Sequence, residues 1–312
     1  MNMSHTLADL RAGRLTGATR LDLSCGLEEF PREVFELADT LEVLNLTGNA
    51  LDRLPDDLGR LHRLRVLFCS DNRFTRLPES IGDCANLDIV GFKANRIAEV
   101  PAASLAPSLR WLILTDNAIE RLPDTLGDCT RMQKLMLAGN RLSSLPETLA
   151  GCTRLELLRI SANRFAAPPG WLWSMPRLSW LAAAGNAFDA REEEAAALAP
   201  AVPRIDWHAL QLGTRLGEGA SGVIHEALLN EREPVAAKLF KGAVTSDGWP
   251  RSELAASIAA GAHATLIGAQ GRIDGHPEGT QGLVMARVPA SFRTLAGPPS
   301  LASCTRDVYA DD

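Results

Sequence analysis

Leu41-Glu42-Val43-Leu44-Asn45-Leu46-Thr47-Gly48-Asn49-Ala50-Leu51, closed by Leu54-Pro55, is the frame that decides the fold. Its last asparagine returns at Asn72, Asn95, Asn117, Asn140, Asn163 and Asn186, with five intervals of 23 residues and one of 22. A period of this size signals stacked units, each too small to bury a core without its neighbours. The central apolar residue recurs at Leu21, Leu44, Leu67, Val90, Leu112, Leu135, Leu158 and Leu181, which makes eight repeats.

Within each repeat the Leu-x-Leu alternation has strand period, so leucines point to one side and the residues between them to the other. The asparagine falls where the chain leaves the strand. Its short amide can bond turn backbone that stacking would otherwise bury unpaired. Leu-Pro then follows (Leu54-Pro55, Leu77-Pro78, Leu122-Pro123, Leu145-Pro146), and proline cannot continue a strand. The return segment, as in Asp57-Leu58-Gly59-Arg60-Leu61, sends an apolar residue inward. Cys84, Cys129 and Cys152 stand where Leu61 does, and a buried thiol behaves as a small hydrophobe.

These residues resemble the leucine-rich repeat family, in the Leu-Pro variety found in intracellular proteins. The resemblance covers about Leu21 to Phe188 and implies a curved solenoid with a parallel sheet on its concave side. Both ends depart from it. Cys25-Gly26 replaces the asparagine in the first repeat, and Gly185-Asn186-Ala187-Phe188 runs into Asp189-Ala190-Arg191-Glu192-Glu193-Glu194 in the last. Terminal repeats lack one neighbour, so such departures are expected.

On the outward face one row reads Val43, Val66, Ile89, Trp111, Lys134, Leu157, Trp180, and the next Asn45, Phe68, Gly91, Ile113, Met136, Arg159, Ala182. Phe68, Trp111, Ile113, Met136 and Trp180 are therefore the candidate partner-binding residues. Contiguous outward apolar groups with aromatic anchors mark interaction sites. Aromatic and β-branched residues also suit strands for their own sake. The partner could be another protein, a second copy, or the chain's own C-terminal unit.

The pattern stops at Pro200-Ala201-Val202-Pro203. Then comes Leu216-Gly217-Glu218-Gly219-Ala220-Ser221-Gly222-Val223-Ile224. Gly-x-Gly-x-x-Gly alone is a weak signal shared with dinucleotide-binding loops, but those lead into a helix. Here Val223 to Leu229 continues as a strand, a polar turn follows, and Val235-Ala236-Ala237-Lys238-Leu239-Phe240 comes next. A Gly-rich hairpin followed by Val-Ala-x-Lys resembles the N-terminal lobe of protein kinases. The resemblance implies a partial kinase domain: an antiparallel sheet plus one helix.

It also implies a nucleotide site. Gly217, Gly219 and Gly222 match the loop over the phosphates, with Ile224 where valine is usual, and Lys238 matches the lysine that pairs with them. Ala236 completes the Val-Ala-x-Lys motif. Glu253 is the best match for the acidic helix partner of that lysine, with Asp247, Glu226 and Glu231 as alternatives. Gly261-Ala262-His263 follows the helix. Gly282-Leu283-Val284-Met285-Ala286-Arg287-Val288 resembles the strand leading to the hinge, with Met285 beside the nucleotide. The structural alternative for Lys238 is an ordinary strand-end lysine.

Catalysis needs a catalytic-loop aspartate, a nearby asparagine and the Asp-Phe-Gly aspartate. Residues 289–312 contain neither His-x-Asp nor Asp-Phe-Gly, and Asp307, Asp311 and Asp312 read as solvated charges. No catalytic residue is assigned. The expectation is a partner-binding, catalytically silent chain resembling a truncated leucine-rich repeat kinase. ATP would bind weakly, because half the pocket walls are absent, and magnesium would come only with the nucleotide. The alternative is an active Ser/Thr or Tyr kinase once a C-terminal lobe completes it.

The expected organisation is α/β: an N-terminal cap over residues 1–20, the repeat domain over 21–190, a cap or linker over 191–209, and the partial kinase domain over 210–312. The formal charge of −6 gives no general attraction to nucleic acid or anionic membrane. The first residues lack a signal-peptide core, and no window reaches the length of a membrane span. Six cysteines without a Cys-x-x-Cys pair or Cys/His cluster suggest a reduced, cytoplasmic setting and no metal. The partial lobe should expose an apolar underside, favouring self-association or docking of the lobe.

Overall fold

In the computed structural model, residues 5–198, 203–219, 221–241, 248–261, 263, 265–293 and 297 are described. The array contributes one three-residue strand per repeat: Arg20–Asp22 (β1), Val43–Asn45 (β2), Val66–Phe68 (β3), Ile89–Gly91 (β4), Trp111–Ile113 (β5), Lys134–Met136 (β6), Leu157–Arg159 (β7) and Trp180–Ala182 (β8). They form one eight-stranded sheet in sequence order. Register follows the repeat, with Leu44 opposite Leu67 and Leu67 opposite Val90.

Parallel neighbours need a crossover, and about 20 residues leave no room for a long α-helix. The crossings are short 3-10 turns, among them Glu79–Ile81, Asp124–Asp128 and Glu147–Gly151. The Leu-Pro prolines Pro78, Pro123 and Pro146 sit immediately before these turns. They therefore start the next element as well as ending the last one. Inside, Leu44, Leu46, Leu58, Leu61 and Leu67 are fully buried, and Phe74 meets Phe92 edge-on at 5.0 Å.

The asparagines bridge consecutive repeats. Asn72 accepts from the Leu51 N–H at 2.9 Å and donates to the Leu46 and Ser70 carbonyls. Asn140 accepts from the Ile119 N–H at 3.0 Å and donates to Leu114 and Leu137 carbonyls, both at 2.9 Å. Each asparagine thus serves the turn of the repeat before it. The first repeat has no predecessor to serve, which explains why it can lack one. Its own turn is closed by Asn49, which accepts from Cys25 and Leu27 N–H groups. The residue before each asparagine takes a positive φ: Gly48, Asp71, Ala94, Asp116, Gly139, Ala162 and Gly185. Four of these carry a Cβ that disfavours the left-handed region, so stacking overrides local preference there.

Helix α1 (Leu7–Arg11) begins at Thr6, whose side chain accepts from the Asp9 N–H. His5 covers the free edge of β1: its N–H donates to the Asp22 carbonyl at 3.0 Å, and its Nδ1 accepts from the Asp22 N–H at 3.1 Å. An exposed sheet edge is blunted in this way. At the other end Asp189 accepts from the Gly185 and Asn186 N–H groups, ahead of helix α2 (Ala190–Leu198).

By contact the chain divides into two compact units: Met1–Arg159 with Pro168–Leu181, and Ile160–Ala167 with Ala182–Pro299. The turns after β7 and β8 group with the second unit. That unit holds a six-stranded sheet of Arg204–Asp206 (β9), Leu210–Glu218 (β10), Gly222–Leu229 (β11), Glu233–Phe240 (β12), Ala269–Asp274 (β13) and Gly282–Ala286 (β14). The order is β10-β11-β12-β14-β13-β9, antiparallel except that β9 runs parallel to β13. The stretch read as cap and linker therefore supplies both a helix and an edge strand. Asn230 and Glu231 turn β11 into β12 at positive φ. Helix α3 (Pro250–Ala259) has proline in its first turn and Trp249 at its N-cap. Ala227, Val235, Ala237, Val284, Ile273 and Leu210 form the core on one face of this sheet.

Candidate functional site

Two surfaces carry the candidate residues, one on each unit. On the array the outward positions line up as the repeat dictates: Phe68 pairs with Gly91, Gly91 with Ile113, and Ile113 with Met136. A Cβ on Gly91 would come within 2.6 Å of the Phe68 ring, so glycine lets that ring lie over β4. Phe68, Trp111 and Ile113 are part-exposed, Trp180 is 50% exposed, and Met136 is buried. The Trp111 Nε1–H points at the Met136 sulfur at 3.1 Å.

Two cations belong to this face although the apolar reading passed over them. Lys134 Nζ lies 4.1 Å from the Trp111 ring centroid, and the Arg159 guanidinium lies 5.0 Å from that of Trp180. A cation over an indole face is held by the ring quadrupole. The signal was in the sequence, since each cation is one repeat from its tryptophan in the outward rows. At the turn edge of the face, burial and the nearby Asp71 push the Asp116 carboxyl above its ordinary range, with Lys93 opposing.

On the six-stranded sheet, register gathers the other candidates. Ile224 pairs with Lys238 and Lys238 with Leu283, while Ala236 pairs with Met285. Strand alternation puts Ile224, Ala236, Lys238 and Met285 on the face opposite Ala227, Ala237 and Val284 of the core. Gly217 lies opposite Ile224 on the next strand. The Lys238 ammonium pairs with Glu253 of α3 and donates to the Ser221 hydroxyl at 2.9 Å. Of the alternatives, Glu226 instead pairs with Arg287 at 2.5 Å and accepts from Thr214, Glu231 lies in the turn, and Asp247 is outside the described residues. Ser221 was not singled out in the motif; its position became relevant only once Lys238 was seen to reach it.

The three glycines differ. A Cβ on Gly222 would meet the Leu239 carbonyl oxygen at 2.5 Å, whereas Gly217 and Gly219 face open space. The fold itself needs only the last. The loop closes by a bond from the Gly219 N–H to the Gly222 carbonyl at 2.9 Å.

Burial raises the thiols of Cys84 and Cys129 to about 12 and those of Cys69 and Cys152 above their usual value, which keeps them in the unreactive protonated form. Among the described residues no group of three His, Cys, Asp or Glu side chains could hold a metal ion. No described helix is long and apolar enough to cross a membrane. Asp307, Asp311 and Asp312 lie outside the described residues.

Family comparison agrees with the geometry of the array. A family model described as leucine rich repeat matches residues 107–165, and a second such model matches 40–61 and 63–84. Neither reaches the six-stranded sheet, and the kinase resemblance of that sheet gains no support from them. No curated protein matches the chain. Among solved structures, a leucine-rich repeat protein of Leptospira interrogans is 22% identical over 56% of this chain and 57% of its own, with a TM-score of 0.41. The plant peptide hormone receptor RGFR1, in complex with RGF2, is 29% identical over 57% of this chain and 30% of its own, with a TM-score of 0.48. The chain thus spans less than two thirds of either structure. It is a leucine-rich repeat protein with a C-terminal, mainly antiparallel sheet.

Proposed function

We propose that the array binds a polypeptide on its concave face, through Phe68, Trp111, Ile113, Met136 and Trp180. One observation carries this reading: on adjacent outward rows of the sheet Phe68, Trp111 and Ile113 are part-exposed and Trp180 is half-exposed. Such groups turned to water are costly unless a partner covers them, and aromatic anchors dominate the energetics of most interfaces. Ile113→Asp and Trp180→Ala should each weaken a partner captured by the wild-type protein at least tenfold, or about 1.4 kcal/mol, without shifting the thermal melt. A partner retained by both variants would refute the assignment.

The second unit we read as a nucleotide-binding element without catalytic activity of its own. The Lys238–Glu253 pair on the face opposite the core supports this, as does the open space above Gly217 and Gly219. Nucleotide phosphates are the chemistry that an anchored lysine and side-chain-free loop would take. Magnesium would arrive with the nucleotide. Phosphoryl transfer, to Ser/Thr or Tyr, would require a second lobe to complete the site. Calorimetric titration with Mg-ATP beside Lys238→Ala tests the element: binding lost in the variant supports it, and heat signals equal in both or absent from both refute it. The underside of such an element would favour self-association or docking, and a concentration-dependent sedimentation coefficient would report the former.

A further inference from the structure

The second unit holds a cavity of about 570 Å³ that neither proposed role uses. Three parts of that unit wall it: the turns after β7 and β8, helix α2 and the start of α3. Its size lies within the range of small-molecule sites. Trp249 supplies an aromatic wall, with the Arg251 guanidinium 3.8 Å from its ring centroid. The ladder residue Asn186 also lines the cavity but is committed to backbone. It accepts from the Phe165 N–H and donates to the Ile160 and Ala183 carbonyls.

Two polar groups here lack partners. One carboxylate oxygen of Glu193, on the wall formed by α2, is buried and accepts no hydrogen bond among the described residues. Ser252, in the first turn of α3, is 2% exposed, and its hydroxyl is likewise unpaired. It stands at the cavity wall: a Cβ on Gly185, which lines the cavity, would come within 3.1 Å of that hydroxyl and 3.4 Å of the Trp249 ring. Buried groups of this kind are costly until something completes their bonds. The charges of the lining balance, Arg164 and Arg251 against Glu193 and Glu194, so a ligand bearing both signs suits it better than one bearing either alone. The start of α3 adds partial positive charge and favours an anionic group there.

We propose that this cavity binds a free α-amino acid with an apolar side chain. The ammonium donates to the orphan oxygen of Glu193. The carboxylate lies at the start of α3, taking the Ser252 hydroxyl and the Arg251 guanidinium as donors. The side chain rests on the Trp249 ring, beside Ala187 and Ala190 of the lining. The inference draws on neither the concave-face reading nor the nucleotide reading.

Calorimetric titration of the full chain with L-leucine, L-methionine and L-phenylalanine tests it. At least one should bind with a Kd below about 1 mM. Glu193→Gln keeps the shape of the side chain and removes its charge, and should weaken that ligand at least tenfold. Ser252→Ala, which removes one oxygen from a buried position, is the second variant and should weaken it several-fold. The N-acetyl derivative of the same amino acid, which lacks the ammonium, and its amide, which lacks the carboxylate, should each lose at least tenfold against wild type. Heat from none of the three amino acids overturns the proposal. So does an affinity unchanged in both variants, or a derivative that binds as tightly as its parent.

Discussion

Replacing Asn140 by alanine tests the physical basis of the array. The side chain is 7% exposed and makes three bonds, accepting from the Ile119 N–H and donating to the Leu114 and Leu137 carbonyls. Leu114 would keep a donor, because the Asn117 amide also reaches its carbonyl at 3.1 Å. The loss to count is therefore the acceptor of one buried N–H, that of Ile119. An orphaned buried group costs about 1–3 kcal/mol, so Asn140→Ala should lose about 1–3 kcal/mol. Asn140→Asp is the sharper variant. It keeps the acceptor for Ile119 but sets a carboxylate oxygen against two carbonyls, so it should be at least as damaging at neutral pH despite its identical shape. Equilibrium urea unfolding measures both, beside the exposed control Arg141→Ala, which should stay within about 0.5 kcal/mol. A loss below about 1 kcal/mol for alanine, or an aspartate variant as stable as wild type, would refute the account of the asparagine ladder.

Other consequences follow from the same structure. Of the five described cysteines only Cys25 is exposed, so among these five it should be the first to alkylate in native protein at pH 8. Labelling of Cys69, Cys84, Cys129 or Cys152 should wait for unfolding, and early modification of any of them would contradict the packing. Asp116 has a folded-state pKa raised by burial, so its ionised form opposes folding, and the penalty grows as pH rises through the unfolded and then the folded value. Asp116→Asn should therefore raise the melting temperature at pH 7, and the gain should shrink below pH 4; a gain independent of pH would point to the backbone instead. In the Gly-rich loop, Gly222→Ala forces a Cβ against the Leu239 carbonyl and should cost about 1–3 kcal/mol. Gly217→Ala and Gly219→Ala should leave the melt unchanged while weakening Mg-ATP, and a melt lowered by either would remove the contrast.

The array was legible because its information is redundant. One asparagine or one leucine would mean little, but a frame repeated at near-constant spacing fixes strand direction, sheet order and the inward set together. Local chemistry then let Asn49 and its successors be read as turn-bonding groups, since few side chains can both donate and accept at such short reach. Sequence alone did not say that each asparagine serves the preceding repeat, because that pairing crosses 21 residues, from Asn140 to Ile119. Nor did it mark Ala94 and Ala162 as left-handed. Alanine carries no preference for that region, and only neighbours that fix the turn on both sides hold it there.

The C-terminal sheet lies at the other extreme. Its motif residues were nameable one by one, and strand alternation already placed Ala236 and Lys238 on one face of their strand. Choosing Glu253 over Glu226 as the partner of Lys238 needed the fold, since both are acidic and near in sequence, while Glu226 is engaged by Arg287 and α3 brings Glu253 to Lys238. The same holds for the cations of the array. The sequence determined that Lys134 and Arg159 face outward, because strand period is a local property. That Trp111 and Trp180 lie beneath them and that both are nearly buried was decided by tertiary stacking, because burial depends on what neighbouring repeats and segments bring to the same place.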